Sequence, residues 1–191
     1  DFTVEKLGGI DILINNIGGV DEDKPFFELT DQDWIECYEN NTLSVVNFSK
    51  AAYPHLKYST NARIVNISSF VAIQPGFMNP HYAACKASVV NLTKHIANIF
   101  SKDEILCNAL LPASFMSSSL KSSFLRKSTK EQRDPDIVKQ EELNKMSKNY
   151  PLGKIGEVKD IIPFVLLMSS IHNSWMTGSA IIIDGGRSKT I

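Results

Sequence analysis

A tyrosine phenol can give or take a proton, and a lysine four positions along a helix shares its face. The stretch HYAACKAS (81–88) holds such a pair in Tyr82 and Lys86. Spacing alone decides nothing, because Tyr53/Lys57 and Tyr150/Lys154 repeat it. Context separates the three. Pro54 follows Tyr53, and Pro151 and Gly153 follow Tyr150, so neither stretch reads as a helix presenting both groups on one face. Tyr82 to Lys86 contains no breaker and opens a long segment, 80–100, with Val89, Leu92, Ile96 and Ile99 near helical spacing. Free tyrosine titrates at about 10. A neighbouring ammonium favours the phenolate, so Lys86 is expected to lower Tyr82 toward neutral pH.

Such a pair works only where other elements hold it. IDILINN (10–16) is a short apolar run ending in Asn-Asn before Gly18-Gly19 and reads as a buried strand entering a loop. RIVNISS (63–69), EILCNALLP (104–112) and AIIIDGG (180–186) read as three more strands. Between them, 31–57 reads as a helix capped by Thr30 and kinked or ended by Pro54. Residues 80–100 and 157–170 read as further helices. The alternation implies an α/β domain with a parallel sheet of about four strands and crossover helices. Ligands of open parallel sheets bind beyond the carboxyl ends of the strands. Asn15 and Asn16, Ser68 and Ser69, and Pro112 to Ser117 converge there. The Ser- and Lys-rich segment 113–150 reads as a mobile insertion with one or two short helices, serving as the substrate loop.

The 191 residues fit one domain, 1–191, with a net charge of −1 that makes no case for nucleic acid or an anionic membrane. Residues 1–40 carry eleven acids against Lys6 and Lys24, a solvated acidic face that leaves the remainder net positive. Cys37, Cys85 and Cys107 form no metal-ligand or CxxC spacing and point to a reducing compartment. The longest apolar runs are too short to span a bilayer, and no signal peptide is visible, so the cytoplasm is the default expectation.

From residue 10 onward the chain resembles the short-chain dehydrogenase/reductases. The residues that carry the resemblance are Asn15-Asn16-Ile17-Gly18, Asn41 seven positions after Trp34, IVNISS with Ser69 thirteen before Tyr82, and YAACKAS. CNALLP (107–112), PLGKIGEVKDI (151–161) and TGSAIIIDGG (177–186) follow in the family's order. The resemblance implies a Rossmann-like, doubly wound sheet and an oxidoreductase that interconverts an alcohol and a ketone with NAD or NADP. It also implies a catalytic tetrad of Asn41, Ser69, Tyr82 and Lys86. Tyr82 would be the acid and base, Ser69 would bind the carbonyl oxygen, and Asn41 would anchor a water leading to Lys86. Asn15, Gly18, Tyr82, Lys86, Pro112 and Ser117 would line the cofactor. The family's usual dimer contact implies a homo-oligomer through helices 31–57 and 80–100.

The sequence departs from the family at its front. A Gly-rich Thr-Gly-x-x-x-Gly-x-Gly loop normally cradles the pyrophosphate, and only DFTVEKLGG precedes the first recognisable strand. The expectation is a partial sheet lacking the first βαβ half, inactive by itself, with strand 10–16 at an open apolar edge. The alternative is a non-catalytic remnant that associates with full-length relatives. A lyase or epimerase on the same fold ranks below both, since the tetrad fits the dehydrogenase branch. Ile17 replaces the family's usual Ala, Ala113 replaces a Gly, and Ser117 keeps the hydroxyl of a common Thr.

Overall fold

In the computed structural model, which describes residues 2–20 and 22–189, four parallel strands form one sheet in the order β1-β2-β3-β4. They are β1 (Ile12–Asn15), β2 (Arg63–Ile67), β3 (Leu106–Pro112) and β4 (Ala180–Ile183). Seven α-helices accompany them: α1 (Phe2–Leu7), α2 (Asp31–Tyr38), α3 (Ser44–Leu56), α4 (Pro80–Phe100), α5 (Ser118–Glu131), α6 (Pro135–Ser147) and α7 (Val158–Ser169). The α/β architecture, the strand number and the parallel register match the sequence reading, because β-branched runs and helical periodicity alternate along the whole chain.

Strand alternation divides the core. Ile64 faces a cluster with Leu56, Ile96 and Ile105, whereas its neighbour Val65 faces one with Leu110 and Met168. The first cluster lies under α3 and α4, the second under α7. β1 pairs with β2 alone among the described residues. Its Leu13 packs against the first cluster, while Ile12 and Ile14, on the opposite face, remain 46% and 45% exposed. The open apolar edge expected at this strand is therefore present.

The 31–57 segment is one continuous rod with a wide π-turn at Glu39–Leu43 joining α2 to α3. Thr30 caps it through a reciprocal box with Asp33: the Thr30 hydroxyl accepts from the Asp33 N–H at 3.2 Å, and Asp33 accepts from the Thr30 N–H at 2.8 Å. Pro54 lies inside α3, which ends two residues later at Leu56, and does not separate Tyr53 from Lys57, whose N–H still donates to the Tyr53 carbonyl at 3.2 Å. Tyr53/Lys57 therefore does share a helix face, contrary to the reading from its proline. The 113–150 segment is more regular than two short helices in a loop. α5 and α6 have 14 and 13 residues and are joined by Lys127–Glu142 at 2.6 Å and Arg133–Glu141 at 2.7 Å, with Phe124 and Val138 buried. No helix among the described residues is long and apolar enough to cross a membrane.

Candidate active site

The carboxyl ends of β2 and β3, the start of α4 and the face of α5 border a cleft of about 1010 Å³. Ser69 and Tyr82 both line it, together with Ser114, Ser117 and Arg187. α4 is pinned at its first turn. Pro80 takes the first helical position, where no N–H is needed. Asn79 holds the acidic loop to it by accepting the Lys24 N–H at 2.9 Å and donating to Asp23 at 2.6 Å. The Ser68 hydroxyl donates to the Lys86 carbonyl at 2.7 Å, tying the end of β2 to the second turn of α4.

Lys86 is 4% exposed, and its ammonium lies 5.6 Å from the centre of the Tyr82 ring. It donates to the Ile67 carbonyl at 3.1 Å, its one hydrogen-bond acceptor among the described residues. An ammonium has three donors, so this buried charge is under-satisfied. Burial pulls its pKa down to about 8. Tyr82 moves the other way from the sequence expectation. Burial raises its phenol above the ordinary tyrosine value, and hydrogen bonding with Ser69 only partly opposes that rise. The expectation rested on charge proximity, whereas desolvation is the largest influence here.

The Asn41 carboxamide is fully buried: Nδ2 donates to the Gly19 carbonyl at 3.0 Å and the Cys37 carbonyl at 2.9 Å, and Oδ1 accepts the Gly19 N–H at 2.9 Å. The side chain fastens the loop after β1 to the π-turn. Gly18 belongs to the same lock. Its φ is +116°, and a Cβ there would run into the Asn41 carboxamide.

Asn15 turns inward instead of toward the cleft. It is 5% exposed and donates to Asn66 Oδ1 at 2.8 Å, with Asn66 donating in turn to Thr93 at 2.9 Å. Asn15 shares the helix-covered face of the sheet with Leu13, two residues earlier. Pro112 is buried at the end of β3, and the Ser117 hydroxyl accepts the Leu120 N–H at 3.1 Å as the cap of α5. Ile17 is half-exposed. The tetrad side chains thus divide: Ser69 and Tyr82 meet the cleft, Lys86 stands behind Tyr82, and Asn41 acts one layer further back.

Two neighbouring groups have structural places. The Tyr150 hydroxyl, in the third Tyr/Lys stretch, accepts from the Ser114 N–H at 3.1 Å and from Arg187 at 2.9 Å, so this tyrosine supports the cleft wall. His81, beside Tyr82, is buried edge-on against Trp34 with Nδ1 lacking a partner, and burial lowers its pKa. The three cysteines are buried and reduced, and burial pushes the Cys37 and Cys107 thiols up.

Comparison with known proteins agrees with this architecture. A family model described as enoyl-(acyl carrier protein) reductase matches residues 1–188. The chain is 30% identical over 183 residues to 3-oxoacyl-[acyl-carrier-protein] reductase FabG of Thermotoga maritima, covering 96% of this chain and 68% of that one. Ligand-free aldohexose dehydrogenase of Thermoplasma acidophilum superposes with a TM-score of 0.90 at 25% identity, covering all of this chain and 72% of that one. An NADPH-bound short-chain oxidoreductase of Pseudomonas aeruginosa superposes with a TM-score of 0.85 at 27% identity, covering 98% and 69%. The chain thus spans about two thirds of the length of these relatives. A matching family model over nearly the whole chain and this parallel fold carry one conclusion: the chain belongs to the short-chain dehydrogenase/reductase family of oxidoreductases.

Proposed function

We propose that the protein interconverts an alcohol and a carbonyl compound with NAD or NADP, using Tyr82 as proton donor and acceptor. The observation that carries this is the opening of the Ser69 and Tyr82 hydroxyls into one cleft, with the buried Lys86 ammonium directly behind. The cofactor, when bound, supplies or accepts the hydride. The two unsatisfied donors of Lys86 fit a ligand with paired hydroxyls, such as a ribose. Ser69 orients the carbonyl oxygen, and Tyr82 delivers the proton as negative charge develops on that oxygen. In the oxidative direction Tyr82 takes the proton back. Asn41 keeps the loop at Gly18-Gly19 against the π-turn and is a positioning residue. Ser114 and Ser117 line the cofactor and substrate side of the cleft, and the α5–α6 hairpin covers the substrate within a single domain.

Thermal-shift titration with NADH and NADPH, followed by carbonyl reduction assays, tests the reading. Saturable binding and turnover that disappears with Tyr82→Phe support it. Turnover that survives Tyr82→Phe overturns the assignment.

A second reading, association with copies of itself or with relatives through α2–α3 and α4, draws on exposed Ile35, Phe48 and Ile99 on those helices. Sedimentation of wild type against Phe48→Asp tests it. A monomer in both cases sinks it.

A further inference from the structure

We propose that Arg187 is the anchor for a carboxylate on the substrate, making the preferred substrate an oxo or hydroxy acid and not a neutral ketone. The inference rests on the cleft being the substrate site, as proposed above.

The first observation is rigidity. Asp184 accepts the N–H groups of Gly186 at 2.9 Å and Ser188 at 2.6 Å, closing a tight turn around Arg187. Gly185 and Gly186 supply the positive φ values, +62° and +82°, that the turn requires. The guanidinium carbon then lies 4.9 Å from the Phe70 ring centre and 5.2 Å from that of Tyr150. Nη1 donates to the Tyr150 hydroxyl at 2.9 Å. Tyr150 is itself 5% exposed and held by the Ser114 N–H. A long side chain is thereby frozen between two rings, removing most of the entropy cost of gripping a ligand.

The second observation is unspent charge. A guanidinium has five N–H donors. Among the described residues the Arg187 guanidinium makes one hydrogen bond and no ion pair, although the residue is partly buried. Two of the cleft's acids are committed elsewhere, and Glu22 makes no ion pair with Arg187. Asp23 takes the Asn79 amide at 2.6 Å, and Glu131 pairs with Arg133 at 3.2 Å and Lys127 at 3.7 Å. A partly buried cation with no counter-ion among the described residues leaves room for an anion, and a planar fork is built for a bidentate carboxylate.

The third observation is position. Phe70, which carries the guanidinium on its face, directly follows Ser69, and Arg187 lines the same cleft as Ser69 and Tyr82. An acid bound in this cleft could meet the two hydroxyls with its carbonyl and Arg187 with its carboxylate. An oxyanion could also come from a cofactor phosphate, so the test separates the two sources.

The test is calorimetric titration of the protein, with and without NADPH, using acetoacetate, its neutral methyl ester, and adenosine 2′,5′-bisphosphate as probes. Wild type is expected to bind acetoacetate about tenfold or more tightly than the ester. Arg187→Met should abolish that preference while circular dichroism stays unchanged, and Arg187→Lys should keep part of it. Arg187→Gln repeats the test with a side chain that can still donate to Tyr150. The proposal is overturned by equal binding of acid and ester, by no binding of either to wild type, or by a preference that survives in Arg187→Met. Loss confined to the bisphosphate assigns Arg187 to the cofactor and overturns it too. Tyr82→Phe keeps the two hypotheses apart. Arg187-dependent binding without Tyr82-dependent turnover leaves the anchor standing and removes the oxidoreductase assignment, and turnover indifferent to acid or ester does the reverse.

Discussion

Two helices of this protein carry a tyrosine and a lysine four positions apart, and the pairs meet different fates. At the end of α3, the Tyr53 hydroxyl donates to the Asp103 carboxylate at 2.7 Å and the ring packs 4.4 Å from Phe100. Lys57 points into solvent with its ammonium 4.9 Å from the Tyr58 ring. At the start of α4, Lys86 is buried behind Tyr82 and the phenol borders an open cleft. Helical spacing supplies a shared face in both cases. What covers that face decides whether the pair staples two elements together or stands ready to move a proton.

The sharpest way to break this comparison is a matched pair of phenylalanine substitutions. Tyr82→Phe should cost about 10²–10⁴-fold in turnover with little change in melting temperature. Tyr53→Phe should leave turnover intact and lower stability by about 1 kcal/mol through the lost bond to Asp103. Equal losses of activity in both would show that the two tyrosines are not functionally distinct.

Replacing the lysines tests the energetics. Lys86 has an ordinary value of 10.5 that burial lowers to about 8 in the folded state. Below pH 8 both folded and unfolded chains hold this proton, and the buried charge costs stability. Between about 8 and 10.5 the unfolded chain binds more protons, so stability rises with pH across that window. Denaturant titrations over this range should show the rise in wild type and lose this contribution in Lys86→Met. At pH 7 Lys86→Met should be more stable by about 2 kcal/mol, yet deficient in turnover. Lys57→Met should change neither. A Lys86→Met variant less stable than wild type would mean that the Ile67 bond outweighs desolvation.

Gly18→Ala probes the lock behind the site. The positive φ and the collision with Asn41 should together cost about 1–3 kcal/mol. Adding Asn41→Ala should restore part of that loss, a coupling measurable in a double-mutant cycle. Full additivity would mean that the loop and the π-turn are independent. The smallest effect is expected at Ser117→Ala, about 1 kcal/mol for a lost cap of α5, read as faster amide exchange in that helix with the sheet unaffected.

Much of this frame was legible from residue order. Thr30 followed by Asp33 specifies a helix start, and Pro80 and the uninterrupted run behind it specify α4, because capping and periodicity act over a few residues. Pro54 misled because a proline in the last turn of a helix removes one N–H without preventing the turn from closing. Asn15 was selected as a polar group at a strand end and by the family resemblance, and Asn41 by the resemblance alone. Their hydrogen-bond partners, Asn66 and Gly19, lie 51 and 22 residues away, which local pattern does not reveal. Arg187 was missed for the same reason. Its meaning lies in Phe70 and Tyr150, which local sequence order does not bring beside it.

Sequence by itself determined the alternation of strands and helices, the parallel sheet, and the shared face of Tyr82 and Lys86. These follow from periodicities of two and 3.6 residues and from local capping. Only the tertiary structure decided what that face does. Burial raises the Tyr82 phenol and lowers the Lys86 ammonium, and the Asn41 carboxamide is tied to a loop. The turn after β4 carries a charged fork to the cleft that Ser69 and Tyr82 share. Desolvation and long-range hydrogen bonding depend on which surfaces meet when the chain closes, and no local spacing contains that information.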